Sequence, residues 1–338
     1  MQRLHRARPL CRVCTVRAVS TSFVGRRLLL ALLTVLVILL TGFLLIHIAP
    51  GDPVLVLAGE HGDAAYYAFM RHRFGLDRPL ATQLVAWFAA VARGDLGFSY
   101  VYGESTLRVI AARVPATLLL TGSALAISLI IAIPLGALAA ARAPGPRDTS
   151  IAVVALVLYS APPFWVGQLA MLGLSLHLGW FPVQGMMTAS LGESRLAVWD
   201  IARHLALPAL VLAMQEVAVF MRVTRQSLLD ELPRDHIRTA RAKGATEFRT
   251  LVRHAMPRAL LPIVTLIGTR VGHLVAGAAV VEIVFGWPGL GRLLLASLQT
   301  RDTPILLGLF LVVALSVVLA NLLSEVVHAS LDPRIRAG

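Results

Sequence analysis

The polar residues able to do chemistry in this chain are few and widely spaced. Cys11 and Cys14 form a C-x-x-C pair in a basic N-terminal stretch and are the only cysteines. A structural zinc site takes about four ligands. No second pair follows, so the pair reads as incidental in a cytoplasmic tail, and the body of the chain has no disulfide. The single lysine, Lys243, is followed by Gly244. A phosphate-binding loop needs Gly-Lys-Ser/Thr, with the lysine reaching the terminal phosphates, so the chain carries no such ATPase motif. There is no H-E-x-x-H and no G-x-S-x-G, and the ten histidines are scattered. No metal site and no catalytic residue is expected.

What remains is a small set of polar groups inside apolar sequence: Gln215, Glu216, Arg270 and His273, with Glu282 at the end of the run that holds the last two. A proton-coupled carrier should bury several carboxylates in its spans, and two are few. Burying an unpaired charge is costly, so these groups should face the interior, each other or a partner. Glu216 pairing with Arg270 is one reading. Lining a pathway and meeting a peptide terminus is another.

The elements that must hold these residues are membrane helices. The chain is 57% hydrophobic and 14% charged, with a mean hydropathy of +0.76; soluble domains carry roughly 25% charge. Six segments offer the roughly 20 apolar residues that a bilayer core needs: 28–48, 117–141, 151–174, 205–221, 259–283 and 305–328. The first runs straight into Pro50-Gly51-Asp52-Pro53 with no small-residue cleavage pattern, so it is read as a retained helix.

The net charge of +13 does not point to nucleic acid, because the charges sit between apolar runs. With the N-terminus inside, the inner segments hold 20 positive residues and the outer ones 10. This places both termini in the cytoplasm. Four of the five tryptophans, Trp87, Trp180, Trp199 and Trp287, fall in outer segments. Trp180 and Trp287 lie near span ends, where an indole suits the headgroup level.

The expected organisation is a basic tail (1–24), a first transmembrane helix (25–48) and an extended outer segment (49–116). A five-helix core (117–328) containing a cytoplasmic loop (233–258) and a short tail (329–338) follow. An outer segment that long usually carries function. Leu84, Trp87, Phe88 and Val91 suggest a short amphipathic helix within it.

The loop carries the strongest signal. A short helix from Asp235 should stop at Gly244, which adopts the left-handed conformation of a helix end. Thr246 can cap a second helix. In that helix Phe248, Leu251, Val252 and Ala255 share one face, and Pro257 closes the unit. The stripe suits a groove on a partner protein or a helix lying on acidic lipid.

The stretch IRTARAKG at 237–244, followed by Arg253-His254-Ala255, resembles the coupling loop of the dipeptide/oligopeptide/nickel permease family of ABC importers. Ala240, Gly244 and Pro257 fit the general importer motif. Arg238 stands in place of its Glu, Thr239 in place of its first Ala, and His254 in place of its Ile. The Arg-Thr-Ala form is similar to the peptide branch. The resemblance extends through HIAPGDP (47–53), FGLD (74–77), GDLG (94–97), FGWPGLG (285–291) and DPRIR (332–336), but not to residues 1–22.

The resemblance implies an all-α type I importer permease with six transmembrane helices in the inner membrane of a bacterium. It implies a second homologous permease subunit, two ATP-binding-cassette subunits that hold ATP and magnesium, and an external substrate-binding protein. Asp235, Arg238, Thr239, Ala240, Arg241, Gly244, Glu247 and Pro257 would then form the ATPase-coupling loop. Peptides are the favoured cargo, with nickel complexes or glutathione-like peptides as alternatives. A self-sufficient secondary carrier is the reading from another class.

Overall fold

The computed structural model describes residues 21–48, 63–73, 75, 77–99, 101–188 and 196–331. Cys11, Cys14, the segment after Ile48 and the C-terminal DPRIR lie outside the described residues. The fold is helical. In chain order it comprises α1 (Thr21–Ile48), α2 (Ala64–Arg73), α3 (Leu80–Ala92) and a hairpin of β1 (Phe98–Ser99) and β2 (Glu104–Ser105). Next come α4 (Thr106–Ala141), α5 (Pro146–Ser160), α6 (Pro163–Ala170, extended by a π-helical turn Met171–His177) and α7 (Leu196–Glu231). The loop follows as α8 (Asp235–Ala242), α9 (Glu247–Arg249, continuing as the π-helix Thr250–Ala255) and α10 (Met256–Ala259). Last are α11 (Leu261–Val284), α12 (Leu290–Thr300) and α13 (Thr303–Leu331).

Among the described residues four helical stretches are long and apolar enough to cross a membrane: Leu29–Ile48, Thr106–Ala141, Ala197–Glu231 and Thr303–Leu322. Counting each of two sharply bent pairs as one span gives six. The segment expected as a single span over 151–174 is such a pair, with α5 and α6 meeting at 96°. The cause is Pro162-Pro163. Neither has an N–H, so the helical ladder stops and the carbonyls of Leu158 and Tyr159 lose their donors. Gln215 on α7 donates its side-chain amide to the Tyr159 carbonyl at 3.4 Å, which partly answers that loss.

Two helices outrun their apolar cores. α4 begins at Thr106 rather than 117, taking in Arg108 and Arg113 from what was expected to be outer segment. α7 extends past 205–221 at both ends. Hydropathy marks where a helix is greasy, whereas its ends are set by turn chemistry.

α4 and α7 form the centre of the bundle. Ala116, Leu120 and Ala124 pack against Leu207, Ala209, Val211, Leu212 and Ala213, joined by Ala278, Val281, Phe285 and Trp287. Small residues set the spacing, as expected where packing rather than water exclusion drives helix association. A Cβ at Gly136 would lie 2.7 Å from the Met221 carbonyl and from Thr224. One turn further along α7, Arg225 grips Asp148 of α5 through two hydrogen bonds of 2.5 and 2.6 Å.

α1 rests on α13, where Gly42 admits the Phe310 ring, and α3 lies over the end of α1. Leu84, Trp87, Phe88 and Val91 are the half-buried face of α3. Trp87 stacks on Phe43 at 6.1 Å, and His47 meets Gln83 at 3.3 Å. The amphipathic helix read from the sequence is therefore present, and it packs on its own bundle.

Candidate functional site

The loop 233–258 projects from the end of the bundle where α7 finishes and α11 begins. α8 is held by one face. Ile237 and Ala240 are buried against Ala137, Ala140, Leu228, Ala255 and Ala259. The opposite face is open: the Asp235 side chain is 99% exposed and that of Arg238 72%. Thr239 returns its hydroxyl to the Asp235 carbonyl at 2.9 Å, so it braces the helix.

The helix stop is the one the sequence predicts. Gly244 has φ +85°. Its N–H donates to the Arg241 carbonyl at 2.9 Å, and that of Ala245 to Ala240 at 3.2 Å. These two bonds define a Schellman ending. Across the turn, Arg241 meets Glu247 at 3.0 Å, with both side chains exposed. Thr246 caps the next turn, its hydroxyl accepting the Arg249 N–H at 3.3 Å.

Two expectations need correction. Pro257 does not close the unit; it lies inside the continuous helical stretch Glu247–Ala259, and the 48° bend falls at Leu260. The helix widens to π form over Thr250–Ala255, just ahead of a proline whose ring crowds the carbonyl four residues back. That widening splits the expected apolar face. Ala255 is buried and Leu251 packs beside it, whereas Phe248 is 76% exposed and Val252 42%.

One buried acid at the loop was not singled out by the sequence. The Glu231 side chain, 6% exposed, ends α7 with Arg234 at 2.9 Å, His236 at 3.2 Å and Arg258 at 3.8 Å. Its sequence signal is slight, an acid two residues before Pro233 and five before a histidine.

Deeper in the bundle, Glu216 of α7 lies 3.7 Å from Arg270 of α11, their side chains 8% and 22% exposed. His273 is on α11, and its side chain lies outside the described residues. Gln215 turns toward α5 as described above, away from that pair.

At the far end of the bundle a second polar knot locks the membrane helices together. The fully buried Glu282 carboxylate accepts the Thr117 hydroxyl at 2.6 Å and the N–H groups of Gly291 and Arg292 at 2.7 and 3.2 Å. Thr117 in turn accepts the Leu290 N–H at 2.8 Å. The first three N–H groups of α12 are thus all satisfied by side chains from α11 and α4, a cap supplied from a distance.

FGWPGLG follows from this geometry. A side chain at Gly289 would overlap the Glu282 carboxylate, and one at Gly291 would overlap Ala279. Trp287, expected at the headgroup level, is fully buried and donates its indole N–H to the Ala116 carbonyl at 2.8 Å. Nearby, Ser99 of the hairpin donates to Asp302, which heads α13.

These arrangements position and couple helices. Among the described residues no three His, Cys, Asp or Glu side chains converge on a point that could hold a metal ion.

Comparison with known proteins gives a consistent result. Residues 132–337 match the family described as binding-protein-dependent transport system inner membrane component, and residues 20–121 match its N-terminal region. The chain is 38% identical over 333 residues to the dipeptide transport system permease protein DppB of Escherichia coli K12, covering 93% of this chain and 98% of that one. It is 36% identical to the oligopeptide transport system permease protein AppB of Bacillus subtilis, covering 93% and 99%. It is 37% identical to the glutathione transport system permease protein GsiC of Pectobacterium atrosepticum, covering 92% and 97%. Among solved structures, a chain of the MetNI methionine ABC transporter in an inward-facing conformation superposes with a TM-score of 0.55 at 17% identity. That superposition covers 67% of this chain and 97% of the other.

Proposed function

The chain belongs to the family of inner membrane components of binding-protein-dependent transport systems, and from that premise we propose that it forms half of the translocation pathway of an ATP-driven importer of di- and oligopeptides. The loop 233–258 is the drive shaft of this machine. α8 docks on an ATP-binding-cassette subunit through its open face. ATP and its magnesium are held and hydrolysed by that partner, because this chain has no phosphate loop. Two such ATPase subunits, a second homologous permease and an external binding protein complete the complex. Both termini and the loop lie on the cytoplasmic side, as the 20 positive residues on inner segments against 10 on outer ones favour.

The observation that carries this reading is the build of the loop. A short helix is fixed by Ile237 and Ala240 on one side, stopped by Gly244, and open on the other, with Phe248 standing free beyond the turn. A helix lying on lipid would turn its apolar residues outward. α8 keeps its own inside and offers charge, with the Phe248 ring of α9 beyond the turn, which suits a protein groove. Phe248 and Val252 are the apolar contacts of that interface, and Arg238 and Arg241 its polar ones. The peptide cargo is supported by the dipeptide, oligopeptide and glutathione names of the relatives. Glutathione is itself a tripeptide and needs no separate machinery.

The test is purification of this subunit from its native membrane in mild detergent, with mass spectrometry of what accompanies it and an ATPase assay. Copurifying P-loop subunits and a second permease are expected. A lone protein without ATPase activity, whose uptake collapses under an uncoupler, would instead identify a secondary carrier.

A further inference from the structure

We propose that Glu231 is a positioning residue for coupling: it ties the coupling helix α8 to both α7 and α11, so that motion of α8 reaches the membrane helices as a rigid displacement. The inference rests on the reading of α8 as the ATPase contact.

Three elements meet at this carboxylate. Glu231 is the last residue of α7. Arg234, 2.9 Å away, precedes α8, and His236, 3.2 Å away, lies in its first turn. Arg258, at 3.8 Å, belongs to α10, which leads through the Leu260 bend into α11. Arg258 and His236 also touch, the guanidinium donating to Nδ1 at 3.2 Å. The other anchors of α8 are the apolar contacts of Ile237 and Ala240. Such contacts resist separation but permit sliding. A buried carboxylate held by two arginines and a histidine resists both, because any shift takes it away from the groups that compensate its charge.

The position makes the tie mechanically useful. Between Glu216 and Glu231 α7 contains no proline and no break. At roughly 1.5 Å per residue that stretch is a rod of about 22 Å. Its far end carries Glu216, which faces Arg270 of α11. Arg258 is at the root of α11. One carboxylate therefore grips the inner ends of the two helices that share the buried ion pair. Without it, displacement of α8 is absorbed by the Leu232-Pro233-Arg234 connection and by the Gly244 turn.

The readout needs no substrate. The complete transporter, purified with its ATPase and partner permease, is trapped with MgATP and vanadate, and amide hydrogen exchange is followed along this chain. In the native complex trapping should change exchange at α8 and, together with it, at residues 222–231 and 258–270. Glu231→Gln should assemble, hydrolyse ATP and keep the change at α8, while the change at the two helix ends falls about tenfold. Arg258→Gln, at a half-exposed position where little packing is lost, should reproduce the effect. Glu231→Asp, which keeps the charge, should retain most of the native response.

Native exchange changes at both helix ends in Glu231→Gln or Arg258→Gln overturn the tie and leave the proposed function standing. Loss of ATPase subunits from Arg258→Gln in proportion to the lost response also overturns it, since the residue would then only support assembly. A native chain that brings down no ATPase subunit at all removes the proposed function, and the tie with it.

Discussion

Thr117 and Glu282 meet at 2.6 Å across 165 positions of sequence, and their contact closes the knot that joins α4, α11 and α12. Both are buried. Thr117 donates to the carboxylate and accepts from Leu290, so Thr117→Val, which keeps the shape and removes the hydroxyl, leaves the buried Leu290 N–H without its acceptor and takes one of three donors from Glu282. The expected loss is about 1–3 kcal/mol, seen as a lower melting temperature in detergent. Glu282→Ala should cost more than Glu282→Gln, because the amide retains an acceptor for the N–H groups of Gly291 and Arg292. Equal melting of Thr117→Val and the native protein would show that the knot contributes nothing.

This knot also shows how far the sequence could be read. The spans, the helix stop at Gly244 and the half-buried face of α3 were legible, because each rests on local pattern. Glu282 was legible only as an acid at a span edge, since its partners lie on another helix far away in sequence. Trp287 was misplaced for the same reason: amphipathic rings favour headgroups, but a buried carbonyl at Ala116 competes for the indole N–H and wins. The 96° break at Pro162-Pro163 had a local cause that hydropathy does not register. Glu231 was invisible because its two arginines and histidine are brought together by the fold of the loop.

Gly244 occupies φ +85°, and a Cβ there would meet nothing within 4 Å. Its requirement is conformational and not spatial. Gly244→Ala should therefore cost roughly 1–2 kcal/mol in the left-handed region and leave a weakened but working loop. Gly244→Pro cannot take this φ at all. It should insert in the membrane at native levels and abolish uptake. Normal uptake by the proline variant would remove the coupling role of the loop.

Asp302, one residue ahead of the α13 span, is held above the ordinary carboxylate range by burial, while the Ser99 hydrogen bond pulls it back down. A carboxyl whose folded value is raised binds its proton more tightly when folded. Its contribution is therefore most favourable below the unfolded value and is lost as pH rises through the folded one. Ser99→Ala removes the opposing hydrogen bond and should move this loss to higher pH, and Asp302→Asn should abolish it. Melting temperature against pH in detergent reads both. An Asn variant with the native pH profile would show that another group is titrating.

The Glu216–Arg270 pair, 3.7 Å apart with both side chains largely buried, permits a test that separates structure from transport. Removing one partner unbalances the buried pair, so Arg270→Gln alone should lower the melting temperature. The double variant Glu216→Gln with Arg270→Gln leaves no charge behind and should melt close to the native protein, because a neutral pair of similar shape avoids the desolvation penalty. Uptake then divides the two roles. A pair that only holds α7 to α11 should recover transport along with stability. A pair that meets the peptide or gates its passage should recover stability alone. Comparing melting and uptake for the two single variants and the double therefore assigns the pair by which quantity fails to return.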